Sequence, residues 1–144
     1  MPITWHINSW ETISKKALYE ALTLRSMVFV VEQNCVYQDL DSKDENTIHI
    51  LGYKQNILVA YARVFLNTNP VSIGRVVIHP LFRRLGYGKH IMQKSIEQVP
   101  AKTPIHISAQ EHLKEFYESL GFSQNGVGYL EDGIPHIPMV TTAN

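Results

Sequence analysis

The hydrophobic positions along the chain follow two periods, one typical of helices and one typical of strands. Over residues 12–31 the apolar side chains recur at the spacing of one helix face, and Ser14 or Thr12 is the candidate N-cap. That face is formed by Leu18, Ala21, Leu22, Arg25, Val28 and Phe29. A polar loop that carries four acidic residues is predicted to follow over residues 33–46.

Strands and helices alternate through the rest of the chain. Runs rich in β-branched and aromatic residues predict an edge strand at 3–8 and further strands at 47–53, 57–66, 71–79, 104–108, around 123–129 and around 134–140. Helical periodicity predicts helices at 87–99 and 111–120. Because strands outnumber helices and a strand–helix–strand–helix unit fills the second half, we predict an α/β fold with a mixed β-sheet. Residues 1–144 are expected to form one domain, since no repeat or linker divides them.

Composition excludes several classes of protein. Hydrophobic residues make up 44% of the chain and charged residues 18%, which is typical of a globular protein. The 13 basic and 13 acidic residues cancel, so we predict neither a nucleic-acid partner nor a membrane partner. No apolar run approaches the ~18 residues of a membrane span, and the N-terminus has no signal-peptide pattern. Cys35 is the single cysteine, so no disulfide framework exists and a cytoplasmic location is expected.

A basic, glycine-containing segment lies between the strand at 71–79 and the helix at 87–99. It reads Arg83-Arg84-Leu85-Gly86-Tyr87-Gly88-Lys89 and follows His79-Pro80. Glycines let backbone N–H groups converge, and a helix N-terminus adds positive potential, so such a loop suits a pyrophosphate or similar polyanion. Its spacing matches neither the Walker loop nor the three-glycine dinucleotide fingerprint.

The predicted helix at 111–120 carries a second candidate. Its apolar stripe consists of Leu113, Phe116, Tyr117 and Leu120, and Gly121 is placed to end the helix in the left-handed conformation. On this pattern alone, Tyr117 is equally well a core aromatic residue or a functional hydroxyl.

Together the two segments resemble the GNAT superfamily of N-acyltransferases. The Arg-x-x-Gly-x-Gly pattern at 83–88 is similar to its acetyl-CoA loop, and Phe-Tyr-Glu-Ser-Leu-Gly-Phe at 116–122 is similar to a segment found at the same distance beyond that loop. Residues 28–35 and 129–136 resemble the ElaA-type branch, so the resemblance covers nearly the whole chain. It implies a single-domain GNAT-like mixed sheet with helices on both faces.

The resemblance also implies an activity and a set of site residues. The activity is direct transfer of an acetyl group from acetyl-CoA to a primary amine. By resemblance, Val76, Val77 and Ile78 would line the pantetheine arm, one of their amides would polarise the thioester carbonyl, and Tyr117 would protonate the departing sulfur. The loop residues that would hold the coenzyme are Arg83, Arg84, Gly86, Tyr87, Gly88 and Lys89. Gln110 stands where many members have Asn, and Leu113 where they often have Ala.

Several questions stay open at this point. The general base could be Glu32, His79, Glu111, Asp132 or water, with His79 favoured as a capping residue. The acidic loop 39–45 could attract a cationic amine, or its charges could be solvated. The seven histidines have no metal-ligand spacing, so no metal is predicted. A non-enzymatic CoA-binding or regulatory module on the same fold is the alternative function. The amine acceptor, the acyl-chain preference and the oligomeric state, a homodimer included, are not determined.

Overall fold

The sheet runs through almost the whole chain. A computed structural model describes residues 2–144, and eight strands between Thr4 and Thr142 form one mixed sheet. They are β1 (Thr4–Asn8), β2 (Ile48–Lys54), β3 (Ile57–Phe65), β4 (Val71–Ile78), β5 (Pro104–Gln110), β6 (Ser123–Gln124), β7 (Tyr129–Glu131) and β8 (Ile134–Thr142). Their order is β1-β2-β3-β4-β5-β8-β6, and β7 also pairs with β8. The predicted strands are thus confirmed, except that the one around 123–129 is two short strands.

Among residues 2–144, three α-helices accompany the sheet: α1 (Lys15–Arg25), α2 (Tyr87–Ile96) and α3 (Lys114–Ser119). The Ser14 hydroxyl caps α1 by accepting a hydrogen bond from the Ala17 amide at 3.0 Å. The predicted helix over 12–31 is only partly correct, because α1 continues as a π-helical segment, Ser26–Glu32, with a wider backbone repeat. Similarly, α3 is short and follows a 3₁₀ turn at Glu111–Leu113. None of the helices among residues 2–144 is long and apolar enough to cross a membrane.

The helices cover both faces of the sheet, as predicted. Neighbouring strand residues point to opposite faces, so Ile50 and Leu51 of β2 belong to two different buried clusters. The Leu51 cluster is covered by α1, and the Ile50 cluster by α2 together with Tyr117 of α3. The buried residues of α1 and of the π-helical segment are Ala21, Leu24, Arg25 and Val28. Of these, Leu24 was absent from the predicted face.

The sheet opens between β4 and β5. These strands run parallel, but only Val71–Ile105 and Ser72–His106 are in register, so the two strands separate beyond Ser72. On its other side β4 stays paired with β3, through a bulge that gives β4 one extra residue between Gly74 and Val77. Arg75 lies in this bulge with a φ of 49°, in the left-handed region. The separation leaves a cleft between the two strands.

Candidate active site

A cleft of about 1590 Å³ occupies the gap between β4 and β5. One wall is the carboxyl-terminal part of β4, and the other is β5 with β8 behind it. Seven of the predicted site residues line this cleft: Val76, Val77, Ile78, Arg83, Gly88, Gln110 and Tyr117. Arg84, Gly86, Tyr87 and Lys89 do not line it and lie on the adjoining loop and the first turn of α2.

The glycine-containing loop has the conformation that its sequence demands. Gly86 has a φ of 86° and open space where a Cβ would lie, so glycine is needed there for its backbone conformation. At Gly88 the reason is different, because a Cβ would lie 3.3 Å from the Phe116 ring. Gly88 therefore lets the start of α2 pack closely against α3, the helix that carries Tyr117.

Arg83 does not point freely into the cleft. Its two terminal nitrogens donate hydrogen bonds to the two carboxylate oxygens of Glu32, at 2.7 and 2.6 Å. Both side chains are 39% exposed, so the pair is accessible to water and to ligands. The hydrogen bond from Arg83 lowers the pKa of Glu32, which makes this carboxylate a weaker proton acceptor.

Tyr117 is a buried ring that reaches the cleft. Its ring makes edge-to-face contacts with Phe116 and Phe122, with centroids 5.0 and 5.9 Å away. Burial raises the pKa of Tyr117 to about 12, so the hydroxyl keeps its proton at neutral pH. The interpretation of Tyr117 as a core aromatic residue is confirmed, because the ring packs in the core. Its side chain also lines the cleft, and the functional hydroxyl stays a prediction. Leu113 of the same predicted stripe is exposed and also lines the cleft.

The β5 side of the cleft carries polar side chains. Gln110 and Gln33 exchange side-chain hydrogen bonds at 3.3 and 3.5 Å, which brings the end of the π-helical segment over the end of β5. On β8, His136 is buried and lies directly opposite Gln110. Glu131 of β7 and Ser108 of β5 lie in the same wall.

The four residues named as candidate bases differ in their surroundings. His79 accepts a hydrogen bond from the Leu81 amide through Nδ1 at 3.1 Å, so the capping role is confirmed. In that tautomer a neutral ring carries its proton on Nε2 and has no second acceptor. Glu111 is exposed and does not line the cleft, whereas Asp132 lines it from the turn between β7 and β8. Glu32 is paired with Arg83.

The aspartates of the acidic loop are bonded to arginines, whereas its glutamate, Glu45, is exposed. Asp39 and Asp44 are buried, and Asp41 is partly buried. These aspartates form an arginine–aspartate cluster with three arginines: Arg25 bonds Asp39 at 2.9 Å and Asp44 at 2.7 Å, Arg63 bonds Asp44 at 2.9 Å and also Asp41, and Arg75 bonds Asp39 at 2.8 Å. The expectation of solvated charges is therefore wrong for Asp39 and Asp44, which are buried and paired with arginines. Attraction of a cationic amine by the loop stays a prediction.

The arginine–aspartate cluster holds part of the cleft wall in position. Arg75 sits in the β4 bulge, and its guanidinium also donates to the Asp39 carbonyl at 3.0 Å. The loop thereby holds the bulge next to Val76 and Val77 of the cleft wall. One feature of the sequence could have indicated this cluster: Arg25 lies on the apolar face of the predicted first helix, where a buried arginine needs an acidic partner. Nothing in the sequence pattern pointed to His136 as a cleft residue.

The comparison with known proteins agrees with this architecture. The family model for an acetyltransferase (GNAT) domain matches residues 11–143, and the chain belongs to the GNAT acetyltransferase family. Within that family it is similar to protein ElaA of Escherichia coli strain K12, with 44% identity over 95% of each chain. The crystal structure of E. coli ElaA superposes with a TM-score of 0.91 and covers 97% of this chain and 99% of that one.

Two further solved structures extend the likeness. An acyl-CoA N-acyltransferase from Pseudomonas aeruginosa is 37% identical, with a TM-score of 0.89 over 96% of this chain and 99% of that one. An aminoglycoside 6'-N-acetyltransferase complexed with coenzyme A has a TM-score of 0.74 over 96% and 97% of the two chains. At 16% identity the second shows a shared fold only. The fold neighbours thus include a protein that binds coenzyme A.

Proposed function

We propose that residues 1–144 form one acyl-CoA-dependent N-acyltransferase domain, which moves an acetyl group from acetyl-CoA directly to a primary amine. The observation that carries this proposal is the separation of β4 from β5 beside the glycine-containing loop, with Tyr117 at the resulting cleft. Membership of the GNAT family and the likeness to an acyl-CoA N-acyltransferase support it.

The residues around the cleft fit acetyl-CoA as a co-substrate. Beyond Ser72, β4 has no registered partner in β5, so those amides near Val76–Ile78 that do not bond to β3 are available to the pantetheine arm and to the thioester oxygen. The start of α2 suits the pyrophosphate, because it contains Gly86 and Gly88. Three basic residues lie around these glycines: Arg83, Arg84 and Lys89. Tyr87 belongs to the same first turn, and Gln110 faces this arm from β5. Acetyl-CoA supplies an activated acyl group, and no metal has a role.

Tyr117 is the proposed proton donor. Its pKa of about 12 means that the hydroxyl is protonated when a thiolate forms beside it. Because the ring packs between Phe116 and Phe122, the hydroxyl is held in a fixed direction without needing a hydrogen-bonded partner. This positioning lets one side chain serve both the core and the chemistry.

The test is an acetyl-CoA turnover screen over a library of primary amines, with the parent protein and Tyr117→Phe side by side. We expect the parent to release CoA and form an acetylated amine. Tyr117→Phe should lower kcat about 100-fold, at the low end for a positioned acid, because a thiolate is a tolerable leaving group. Its CoA dissociation constant and melting temperature should stay those of the parent, since only transition-state stabilisation is lost.

Two outcomes would contradict the proposal. Coenzyme binding by the parent without turnover of any amine would favour the non-enzymatic CoA-binding module. Full activity in Tyr117→Phe would return Tyr117 to a purely structural role and leave the proton donor unassigned.

A further inference from the structure

The wall of the cleft opposite β4 contains a histidine at the level of the proposed thioester site. Val76 on β4 and Gln110 on β5 each lie four residues beyond the registered pair Ser72–His106. His136 of β8 pairs directly with Gln110, so their side chains lie on the same face of the sheet. His136 lines the cleft although it is only 7% exposed.

The ring of His136 is held in one tautomer. Its Nδ1 lies 2.7 Å from the carbonyl oxygen of Ile134, which can only accept a hydrogen bond. Nδ1 must therefore carry the proton, and the lone pair of a neutral ring is on Nε2. Such an arrangement fixes both the direction and the basic atom of the imidazole.

A carboxylate faces that basic atom. Glu131 Oε2 lies 3.5 Å from His136 Nε2, and Glu131 is half-exposed, so its charge is accessible from the cleft. The other oxygen of Glu131 accepts a hydrogen bond from Ser108 at 3.4 Å, and Ser108 is also hydrogen-bonded to the Tyr129 hydroxyl. The Tyr129 ring stacks on His136 with 6.2 Å between centroids. The imidazole and the carboxylate are thus both oriented by neighbours.

Three of the four candidate bases from the sequence, His79, Glu32 and Glu111, are less suitable in this geometry. Nδ1 of His79 is occupied as an acceptor by the Leu81 amide. Glu32 is paired through both oxygens with Arg83. Glu111 does not line the cleft. By contrast, a neutral His136 ring with its proton on Nδ1 has Nε2 as its basic atom, beside a carboxylate that suits a cationic substrate.

We propose that His136 is the general base for the acceptor, and that Glu131 beside it holds the protonated form of a primary amine. The inference rests on the proposed N-acyltransferase function. The ammonium group donates to Glu131 and gives one proton to His136 Nε2, which becomes an imidazolium paired with that carboxylate. The neutral amine forms the C–N bond as the C–S bond breaks. Tyr117 protonates the sulfur, and the second proton lost by the nitrogen restores the tyrosine hydroxyl. His136 releases its proton to water afterwards.

The titratable groups around His136 come from three segments. Glu131 and Tyr129 face it from β7, and Asp132 follows in the turn. Cys35, on the segment after the π-helix, donates from its thiol to the Asp132 carbonyl at 3.2 Å. From β5 the neighbours are the uncharged Ser108 and Gln110. Glu131 is thus the charge in direct reach of the imidazole.

The experiment compares the parent with His136→Gln, Glu131→Gln and the control His6→Gln, which changes an exposed histidine on the edge strand β1. In the unliganded parent, NMR of isotope-labelled imidazoles should report the Nδ1–H tautomer for His136. In His136→Gln, kcat/KM for the amine should fall about 100-fold or more. The acidic limb of the plot of kcat/KM against pH should disappear. CoA affinity by calorimetry should not change. Glu131→Gln should raise the KM for the amine about tenfold while altering kcat less.

The outcomes separate this inference from the function on which it depends. An active parent whose pH profile survives unchanged in a folded His136→Gln variant overturns the base assignment alone. The same holds for an Nε2–H tautomer in the unliganded protein, a result that does not depend on activity or on the variant folding. A parent that binds CoA but acetylates no amine overturns the base and the N-acyltransferase proposal together.

Discussion

At the scale of single residues, the pairing of Arg83 with Glu32 sets a condition for coenzyme binding. Arg83 is the first residue of the Arg-x-x-Gly-x-Gly pattern, yet in the protein without ligand its guanidinium is bonded at both ends to one carboxylate. A phosphate must compete with Glu32 for this guanidinium, because both anions require the same donor face. The carboxylate thus opposes the very interaction for which the arginine is proposed.

We therefore predict that Glu32→Gln tightens CoA binding. An exposed ion pair is worth up to about 1 kcal/mol, so releasing Arg83 should lower the CoA dissociation constant about two- to fivefold. Titration calorimetry at low and moderate salt measures this change. The matched control is the same substitution in an Arg83→Ala background, where it should have no effect. Equal affinities in the parent and Glu32→Gln would mean that Arg83 stays with Glu32 in the complex.

How far the site could be predicted depends on how local its signals are. The loop residues and Tyr117 lie in short contiguous motifs, so the sequence brought them forward, although their role in catalysis stays a prediction. His136 became visible only through the register between β5 and β8, which pairs it with Gln110, a residue distant in the chain. Glu32 was proposed as a base without any sign that Arg83 neutralises it, because that contact also joins distant segments.

At the scale of elements, loop 33–46 is joined to the sheet and to α1 by its aspartates. Its aspartates neutralise Arg25 from α1, Arg63 from β3 and Arg75 from the β4 bulge. Asp44 is central because it contacts both Arg25 and Arg63. Removing one partner from such a group leaves buried charge without compensation, which costs more than the intact group contributes.

Asp44→Asn should accordingly lower the free energy of unfolding by about 3 kcal/mol, since two buried guanidiniums lose their shared anion. Urea denaturation of the purified variant measures this value. Glu45→Gln is the matched control, because Glu45 is the exposed acidic neighbour, and its change should stay within about 0.5 kcal/mol. Similar stabilities for the two variants would show that the cluster contributes little to the fold.

The elements themselves were largely predictable because their signals are local. β-Branched runs bounded by turns located the strands at 47–53 and 57–66 to within a residue or two of β2 and β3. Helical spacing located the first helix but not its change to π-helical bonding at Ser26, since the apolar pattern does not show which backbone hydrogen bonds each turn makes. The aspartates of loop 33–46 were misinterpreted because their arginine partners lie in other elements.

At the scale of the whole molecule, the stability of the fold at low pH should depend on two kinds of buried group: a histidine that is uncharged and aspartates that are paired with arginines. Burial lowers the pKa of His49, a neutral ring that donates from Nε2 to the Asp44 carbonyl and accepts from the Tyr61 hydroxyl. For Asp44 burial alone would raise the pKa, but hydrogen bonds and charges from Arg25 and Arg63 lower it overall. Both groups therefore bind protons more readily in the unfolded chain, so stability is lost as pH falls.

The resulting prediction is a loss of unfolding free energy in two stages. The first stage should begin below about pH 6.5, which is the pKa of His49 in the unfolded chain. The free energy of unfolding should then fall by up to about 1.4 kcal/mol per pH unit for one proton. The second should follow below about pH 4, as Asp44 and Asp41 are protonated on unfolding. Urea denaturation at a series of pH values measures both. His49→Gln should remove the first stage and His6→Gln should keep it; a first stage that persists in His49→Gln would assign it to another group.

The gap beside β4 has a consequence for how the amount of this protein is controlled. If the proposed function is correct, acetyl-CoA binds along β4 where β4 and β5 have separated. This binding site exists only in the folded chain. Binding then shifts the balance between folded and unfolded chains by mass action, by about 2.7 kcal/mol at a hundredfold excess of free coenzyme over its dissociation constant. When the coenzyme supply falls, more chains pass through unfolded states that proteases can degrade. The abundance of the protein would then follow the acetyl-CoA supply of the cell, without any dedicated regulatory site.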